Sequence, residues 1–373
     1  KILMEPAAER LNALRESSNP QAQFVLGIML NAFHYAAVLL GEIAESARDI
    51  DFAMRWGFGS KQGPFEIWQE AGWKQVAEWV KADIDAGKAL STAPLPAWVF
   101  DGQVAQNAGV HTAEGSWSAK EGKFIPIRDL PVYKRQYFRE NVLGANAPDA
   151  KTAGKTLFED AAIRLWTLDD EVVIASIKSK MHTISAEVTS GLAKGLEIAE
   201  AGYKGLVIWS YDGPFSAGAD LQSMMPAFMA GGGKAIAPFE KQLQDFMLSL
   251  RYSNVPTVAA MHGLALGGGC ELAVHCAKRV AAMETYVGLV EVGVGLIPGG
   301  GGLAYQARRA AELLETSKGI SGQTPVDLMA YIKEFFQASA MAKVATSGIE
   351  ARKFGYLLDG DIVVPNKDEI LYV

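Results

Sequence analysis

Cysteine is nearly missing: the 373 residues hold two, Cys270 and Cys276. Both follow a glycine triplet at the start of one helix, face different sides of it and lack the partners of a metal site. The sequence therefore excludes a disulfide-stapled scaffold, and we expect no metal. A reducing compartment follows, and we expect a cytoplasmic protein. Excess positive charge is missing too. With 35 Lys and Arg against 42 Asp and Glu, the formal net charge is −7. That leaves no broad basic surface and argues against nucleic acid or anionic membrane as partners. We find no unbroken run of about 20 apolar residues, so the sequence predicts no membrane span. Nor does the chain open with Met or with the apolar stretch of a signal peptide. It begins KILMEPAAERLNALRESS and ends DEILYV, inside what reads as the first turn of an amphipathic helix. Both ends look cut, and we expect a piece of a longer polypeptide. What is present is ordinary for a folded globular chain, 49% hydrophobic and 21% charged residues, over a length that suits two domains.

Residues 22–49, QAQFVLGIMLNAFHYAAVLLGEIAESAR, carry apolar positions at helical spacing without a Gly-Pro break. They predict a long helix, apolar on most sides and therefore largely buried. DIDFAMRWGFGSKQGPFEIWQEAGWKQVAEWV then reads as helix, glycine-rich loop and two more helices. From Leu90 to about Thr156 the pattern dissolves at Pro94, Pro96, Pro126, Pro131 and Pro148. This predicts an extended connection with at most short ordered pieces, packed along the domains. From Leu157 onward come short apolar, β-rich runs: EVVIASI (171–177), GLVIWSY (205–211), TVAAMHG (257–263) and RVAAM (279–283). Helical stretches at 184–201 and 239–250 separate them, and such alternation implies parallel crossovers and an α/β architecture. TPVDLMAYIKEFFQASAM (324–341) predicts a further amphipathic helix. The expected division is a helical domain over 1–90, a linker over 91–156 and an α/β domain over 157–373.

The chemistry gathers in two segments. In FSAGADL (215–221), small residues flank Gly218 and let another group approach the backbone, so the N–H of Ala219 can face a cleft. Taken alone, this is an ordinary strand-to-helix turn. In LALGGGCEL (264–272), three glycines at a strand end open a helix and leave unpaired N–H groups at its positive end, able to hold an anion or a developing oxyanion. Together the two segments can form a two-donor oxyanion hole. Glu271 stands in the first helical turn, where the dipole favours an acid whatever its role. Glu291 lies in VGLVEVGVG among apolar residues, where a carboxylate needs a partner or a raised pKa, as a general acid does. Asp220 and Glu284 read as a helix-start acid and a turn acid.

LALGGGCELAVHC, with AGAD upstream and VEVGVGLIPGGGG downstream, resembles the enoyl-CoA hydratase (crotonase) superfamily over roughly residues 157–373. The resemblance implies an α/β domain of repeated ββα units wound into a superhelix. It implies an oxyanion hole made by the N–H groups of Ala219 and Gly268, with Glu271 as base toward water and Glu291 as proton donor to the α-carbon. Members that isomerise, dehalogenate or hydrolyse often lack one of the two glutamates, so both together point to hydration of a trans-2-enoyl-CoA. Coenzyme A is expected against Lys178, Lys180, Met181, Ala217 and Asp220. The family's R-P-x-A-x-N-A loop stands here as SIKSKMHTIS, without its Pro and Asn, and LAYQARR replaces the usual Thr-Gln-Arg after Gly302.

The first domain resembles another family. WGFG and GPFE within residues 50–73 match the all-α C-terminal domain of L-3-hydroxyacyl-CoA dehydrogenases. Gly57, Gly59 and Gly63 have the wrong spacing for a nucleotide loop, and no strand precedes them. His34 reads as a packed core histidine, and the other histidines have no Glu partner in a dehydrogenase motif. The expectation is therefore a dehydrogenase–hydratase fusion of fatty-acid β-oxidation. Its substrate is a coenzyme A thioester, no cofactor is expected in these residues, and NAD belongs to a domain they do not include. A homo-oligomer and a thiolase partner are also expected. Two rivals stay open: a delta-3,delta-2-enoyl-CoA isomerase working through Glu291 alone, and a non-catalytic scaffold that binds acyl-CoA or thiolase.

Overall fold

A computed structural model describes residues 5–139, 143, 148–317 and 328–373. The chain divides into two units, residues 1–131 with 139–147, and residues 132–138 with 148–373.

The first unit opens with the helices α1 (Ala7–Glu16), α2 (Pro20–Ile43), α3 (Ala47–Phe58), α4 (Pro64–Glu70) and α5 (Trp73–Asp85). Local sequence sets their ends. Asn19 caps α2 by accepting the Gln21 N–H, and Ser46 and Asp49 cap α3 reciprocally. Gly59 closes α3 in the left-handed region, φ 66°. Gly63 is required for a different reason, since a Cβ there would run into the Asp51 side chain. The Asp51 carboxylate accepts the N–H groups of Phe65 and Glu66 at the start of α4, at 2.9 and 3.1 Å. Gly59 and Gly63 thus serve helix ends. The core is aromatic: Trp68 stacks on Trp73 with centroids 4.3 Å apart, and Phe33 and Phe65 flank Trp68.

Two expectations for this region are corrected. Helix α2 is not apolar-and-buried all round: Leu26, Leu30, Phe33, Ala37 and Leu40 are buried, while Phe24, Ile28 and Tyr35 are exposed. Its 24 residues are also long and apolar enough, by length and composition, to cross a membrane. The sequence reading overlooked this because Asn31 and His34 interrupt the apolar run, yet a helix with one face in a packed core passes the same test. The second correction concerns the linker. Residues 91–131 belong to the first unit, with α6 (Gly102–Gln106) and the hairpin β1 (Gly115–Ser118) and β2 (Lys123–Pro126). A buried polar chain holds them there: His111 meets Asp51 through Nε2 at 2.7 Å and Ser116 Oγ through Nδ1 at 2.8 Å. The prolines and glycines shape turns of a packed segment rather than a connection.

In the second unit, β3 (Lys155–Glu159), β4 (Ile163–Thr167) and β5 (Val173–Ile177) pair antiparallel. Helix α7 (Ala186–Gly202) then crosses to β6 (Leu206–Ile208), and α8 (Leu221–Arg251), broken at Gly232, crosses to β7 (Thr257–Met261). After β7 come β8 (Leu264–Leu266), α9 (Gly268–His275), β9 (Lys278–Ala282) and β10 (Tyr286–Gly288). The chain continues through α10 (Gly302–Ser317), α11 (Leu328–Ala340), α12 (Gly348–Lys353) and β11 (Ile362–Val364). The large sheet has the order β11-β9-β7-β6-β5-β4-β3, and β8 with β10 forms a second, two-stranded parallel sheet. Strand–strand–helix succession is plain in β7-β8-α9. The expected α/β class is therefore present, as are the four expected strands and the helix over 184–201. Residues 324–327 of the expected late helix lie outside the described residues. One sheet face packs Val173, Ala175, Leu206 and Ala259 against Leu192 of α7 and Phe246 of α8. The other is covered by a cluster that includes Phe138, Trp166 and Trp209.

Candidate active site

The loop Phe215–Asp220 lies between two backbone neighbours. On one side Ser216 bridges to Ala265 of β8, with Ser216 N–H donating to Leu264 O at 2.9 Å and Leu266 N–H to Ser216 O at 3.0 Å. On the other, Ile184 N–H donates to Gly218 O (2.8 Å) and Asp220 N–H to Ile184 O (2.9 Å). These bonds use the groups on either side of Ala219 and leave its own N–H without an acceptor among the described residues. Gly218 has φ 105°, and a Cβ on it would lie 2.9 Å from Leu266 O and 3.3 Å from Gly268 N. A Cβ on Gly268 would in turn lie 3.3 Å from Ala219 N. The amides of Ala219 and Gly268 therefore flank one narrow gap, which stays open because neither glycine carries a side chain. The triplet serves three separate needs. Gly267 turns the chain at φ 52°, Gly268 faces Ala219, and Gly269 packs on Ser216.

Helix α9 starts at this turn and carries Glu271 inward, 2% exposed. Gly302 N–H donates to its Oε1 at 2.8 Å. A Cβ on Gly300 would stand 2.5 Å from Oε2, so the Gly-rich turn after Pro298 is the wall on which this carboxylate rests. Burial, then the charge of Glu291, pushes the Glu271 pKa up to about 8, against the Gly302 bond that pulls it down. Glu291 begins a short 3-10 turn, Glu291–Val294. Its Oε1 would lie 3.3 Å from a Cβ on Gly267, beside the same triplet. Both its carboxylate oxygens are buried and make no hydrogen bond among the described residues, and burial raises its pKa as well. Glu271 thus titrates under the influence of the Glu291 charge, and both acids resist ionisation.

The structure thus brings Ala219, Gly268, Glu271 and Glu291 into one neighbourhood. The five residues expected against coenzyme A are placed less evenly. Met181 O accepts the Ala217 N–H at 3.1 Å, which sets Met181 beside the Phe215–Asp220 loop. Lys180 is exposed. Lys178 is exposed too, and its Nζ donates to Glu159 (2.8 Å) and Asp160 O (2.6 Å). Asp220 caps α8 by accepting the Gln222 and Ser223 N–H groups. One residue escaped the sequence reading: Glu240 on α8, whose carboxylate fills the place of a Gly299 side chain. Among the described residues no group of three or more His, Cys, Asp or Glu could hold a metal ion.

Compared with known proteins, residues 171–323 match the family described as enoyl-CoA hydratase/isomerase. The matched residues fall within the second unit. A relative named probable 3-hydroxyacyl-CoA dehydrogenase, from Bacillus subtilis, is 31% identical over 363 residues, which is 97% of this chain and 42% of that protein. A putative fatty acid oxidation complex trifunctional enzyme of Rickettsia felis is 27% identical over 89% of this chain and 41% of its own length. The chain therefore spans less than half the length of these two relatives. Among solved structures, an enoyl-CoA hydratase from Thermoplasma volcanium has a TM-score of 0.44 and 22% identity over 58% of this chain and 76% of that one.

Proposed function

We propose that the hydratase/isomerase domain adds water to trans-2-enoyl-CoA, giving 3-hydroxyacyl-CoA. The carrying observation is the position of two buried acids, Glu271 and Glu291, beside the gap between the Ala219 and Gly268 amides. The thioester oxygen in that gap would accept both N–H groups, which stabilise the enolate that forms as water attacks, at about 3 kcal/mol per donor in a desolvated site. The hydroxyl of water bonds to the β-carbon and its proton passes to the anionic carboxylate. The protonated carboxylate gives its proton to the α-carbon and becomes the anion, so the pair ends with the one proton it began with. The family resemblance makes Glu271 the base and Glu291 the acid. Burial of Glu271 favours the resting proton on Glu271 instead, and the shared proton is what the pair contributes.

The acyl carrier is coenzyme A, met by Met181, Ala217 and the exposed Lys180. The helical unit fits the C-terminal domain of a 3-hydroxyacyl-CoA dehydrogenase, and the names of the B. subtilis and R. felis relatives support a fused β-oxidation protein. NAD does not fit the described residues. The glycines that tempt a nucleotide reading serve helix ends, so no step through NAD is assigned to this chain. A homo-oligomer, a thiolase partner and a cytoplasmic setting belong to the same proposal. The test follows the enoyl thioester absorbance with crotonyl-CoA. Loss of the band with formation of 3-hydroxybutyryl-CoA is expected, and coenzyme A binding without turnover overturns the hydratase reading. Glu271→Ala separates hydration from isomerisation, because a route through Glu291 alone would survive that change.

A further inference from the structure

Helix α8 presents two side chains, one turn apart, to the glycine turn that supports the acid pair. Gln244 donates through Nε2 to Gly299 O at 2.8 Å, which clamps the helix to the turn. One turn earlier, the Glu240 carboxylate packs on Gly299, in the space a Cβ there would take. The next residue, Gly300, gives the same accommodation to Glu271 Oε2, and Gly302 binds Glu271 Oε1. Contacts at Gly299, Gly300 and Gly302 of one backbone turn thus carry two carboxylates, with His275 packed on Gly301 between them. The third acid, Glu291, begins the segment that leads into this turn, with both oxygens buried and unpartnered among the described residues.

We propose that Glu240 is a positioning residue of the hydration site, a third carboxylate that faces the Glu271–Glu291 pair across the glycine turn and keeps one proton on it. This rests on the hydratase reading of the pair. Among the described residues, the titratable groups at the turn are Glu271 of α9 against Gly300, Glu291 on the 3-10 turn, and His275 of α9, which packs on Gly301 and whose pKa burial lowers, favouring the neutral ring. Lys241, the neighbour of Glu240 on α8, is engaged by Asp245, and α7 faces α8 through Ser190, which meets Gln242. The charge of Glu240 raises the pKa of both Glu271 and Glu291. Like charges nearby make a carboxylate harder to ionise, so an anion at the turn holds the pair in its singly protonated, working form to higher pH. Burial raises the Glu240 pKa as well, but Glu240 is only half-buried where Glu271 is 2% exposed, so the charge at the turn falls on Glu240 before Glu271.

The test is Glu240→Gln in the intact 373-residue chain, with Asp245→Asn on the same helix as control. The glutamine keeps the shape and removes the charge. The alkaline limb of kcat/KM should move to lower pH by about half a unit or more, with the rate at the optimum falling severalfold at most and the control unmoved. A parallel titration of the 13C-labelled glutamate carboxyls needs no turnover, so it separates the two readings. If the wild-type chain does not hydrate crotonyl-CoA, the hydratase reading fails, and lower midpoints for Glu271 and Glu291 in Glu240→Gln still support the three-acid cluster. Unmoved midpoints in a folded Glu240→Gln protein, or a limb that moves equally in Asp245→Asn, overturn the proposal.

Discussion

Gly302 donates its backbone N–H to Glu271 Oε1 at 2.8 Å, and the Gly300 backbone also favours the ionised form of this buried carboxyl. The Gly302 bond couples the first turn of α10 to the first turn of α9, so the acid is held from both sides of the glycine-rich turn. Backbone donation does not offset the burial, and the carboxyl stays protonated well above the usual range, to about 8.

The first prediction concerns stability against pH. The folded-state pKa of Glu271 is raised from 4.5 to about 8, so the folded chain binds this proton more tightly than the unfolded one. Its contribution is fully present below about pH 4.5 and is lost as pH rises through about 8. Urea unfolding of the second unit should therefore weaken between pH 5 and 8.5, on the order of 2 kcal/mol for the coupled pair. Glu271→Gln should flatten that slope and cut hydration by about 10²-fold or more. An unchanged slope in the variant would place the destabilisation elsewhere.

Gly268→Ala tests the oxyanion gap. The added Cβ would stand 3.3 Å from Ala219 N, inside the space meant for the thioester oxygen. Expected is a fall in kcat/KM of about 10²-fold, with little change in thermal stability because Gly268 lies within α9 and its φ is not left-handed. Gly218→Ala should be worse in both respects. That glycine sits at φ 105°, and its Cβ would press on Leu266 O at 2.9 Å, so folding yield and Tm should drop along with activity.

The candidate site was legible in the sequence because its pieces are short and contiguous. A glycine triplet at a strand end and an acid in the following turn constrain their surroundings enough to be read in one dimension. Glu240 was not legible. Its partner Gly299 is remote in sequence, and an acid on an amphipathic helix looks like any solvated charge until the fold sets it on a bare backbone. Lys178 is the opposite case. Its loop position marked it for an anionic ligand, but β3 places Glu159 beside it. The stretch from Pro94 to Pro131 was hidden by composition, since prolines and glycines mark turns equally in linkers and in packed segments. The two antiparallel strands β3 and β4 were missed for a related reason. β4 is buried along its whole length and shows no alternation to read.

Lys178 and Lys180 should differ on substitution. Lys180 is exposed, whereas Lys178 already pairs with Glu159 at 2.8 Å. Lys180→Ala is expected to raise KM for an acyl-CoA about 5-fold, near 1 kcal/mol, with kcat unchanged and with the effect fading at high salt. Lys178→Ala should leave KM within about 2-fold. Steady-state kinetics at two ionic strengths distinguishes them, and a larger effect at Lys178 would mean that the ion pair opens to receive the ligand.

The buried chain Phe65 and Glu66 amides–Asp51–His111–Ser116 makes the last prediction. Asp51 is fully buried, and its carboxylate serves two backbone donors and the His111 ring. Burial raises its pKa, and the His111 hydrogen bond opposes that rise. Deleting one partner leaves the others buried without a substitute, at a cost of about 1–3 kcal/mol. His111→Ala should therefore lower the unfolding transition of the first unit by that amount and release the β1–β2 hairpin, which hydrogen exchange of the Trp117 and Ser118 amides would register. Ser116→Ala removes only the far end of the chain and should cost less, about 1 kcal/mol. Equal costs for the two changes would mean that His111 acts through Ser116 rather than through Asp51. The crotonyl-CoA rate of both variants should match wild type below the first transition, because no group of this chain takes part in the hydration chemistry.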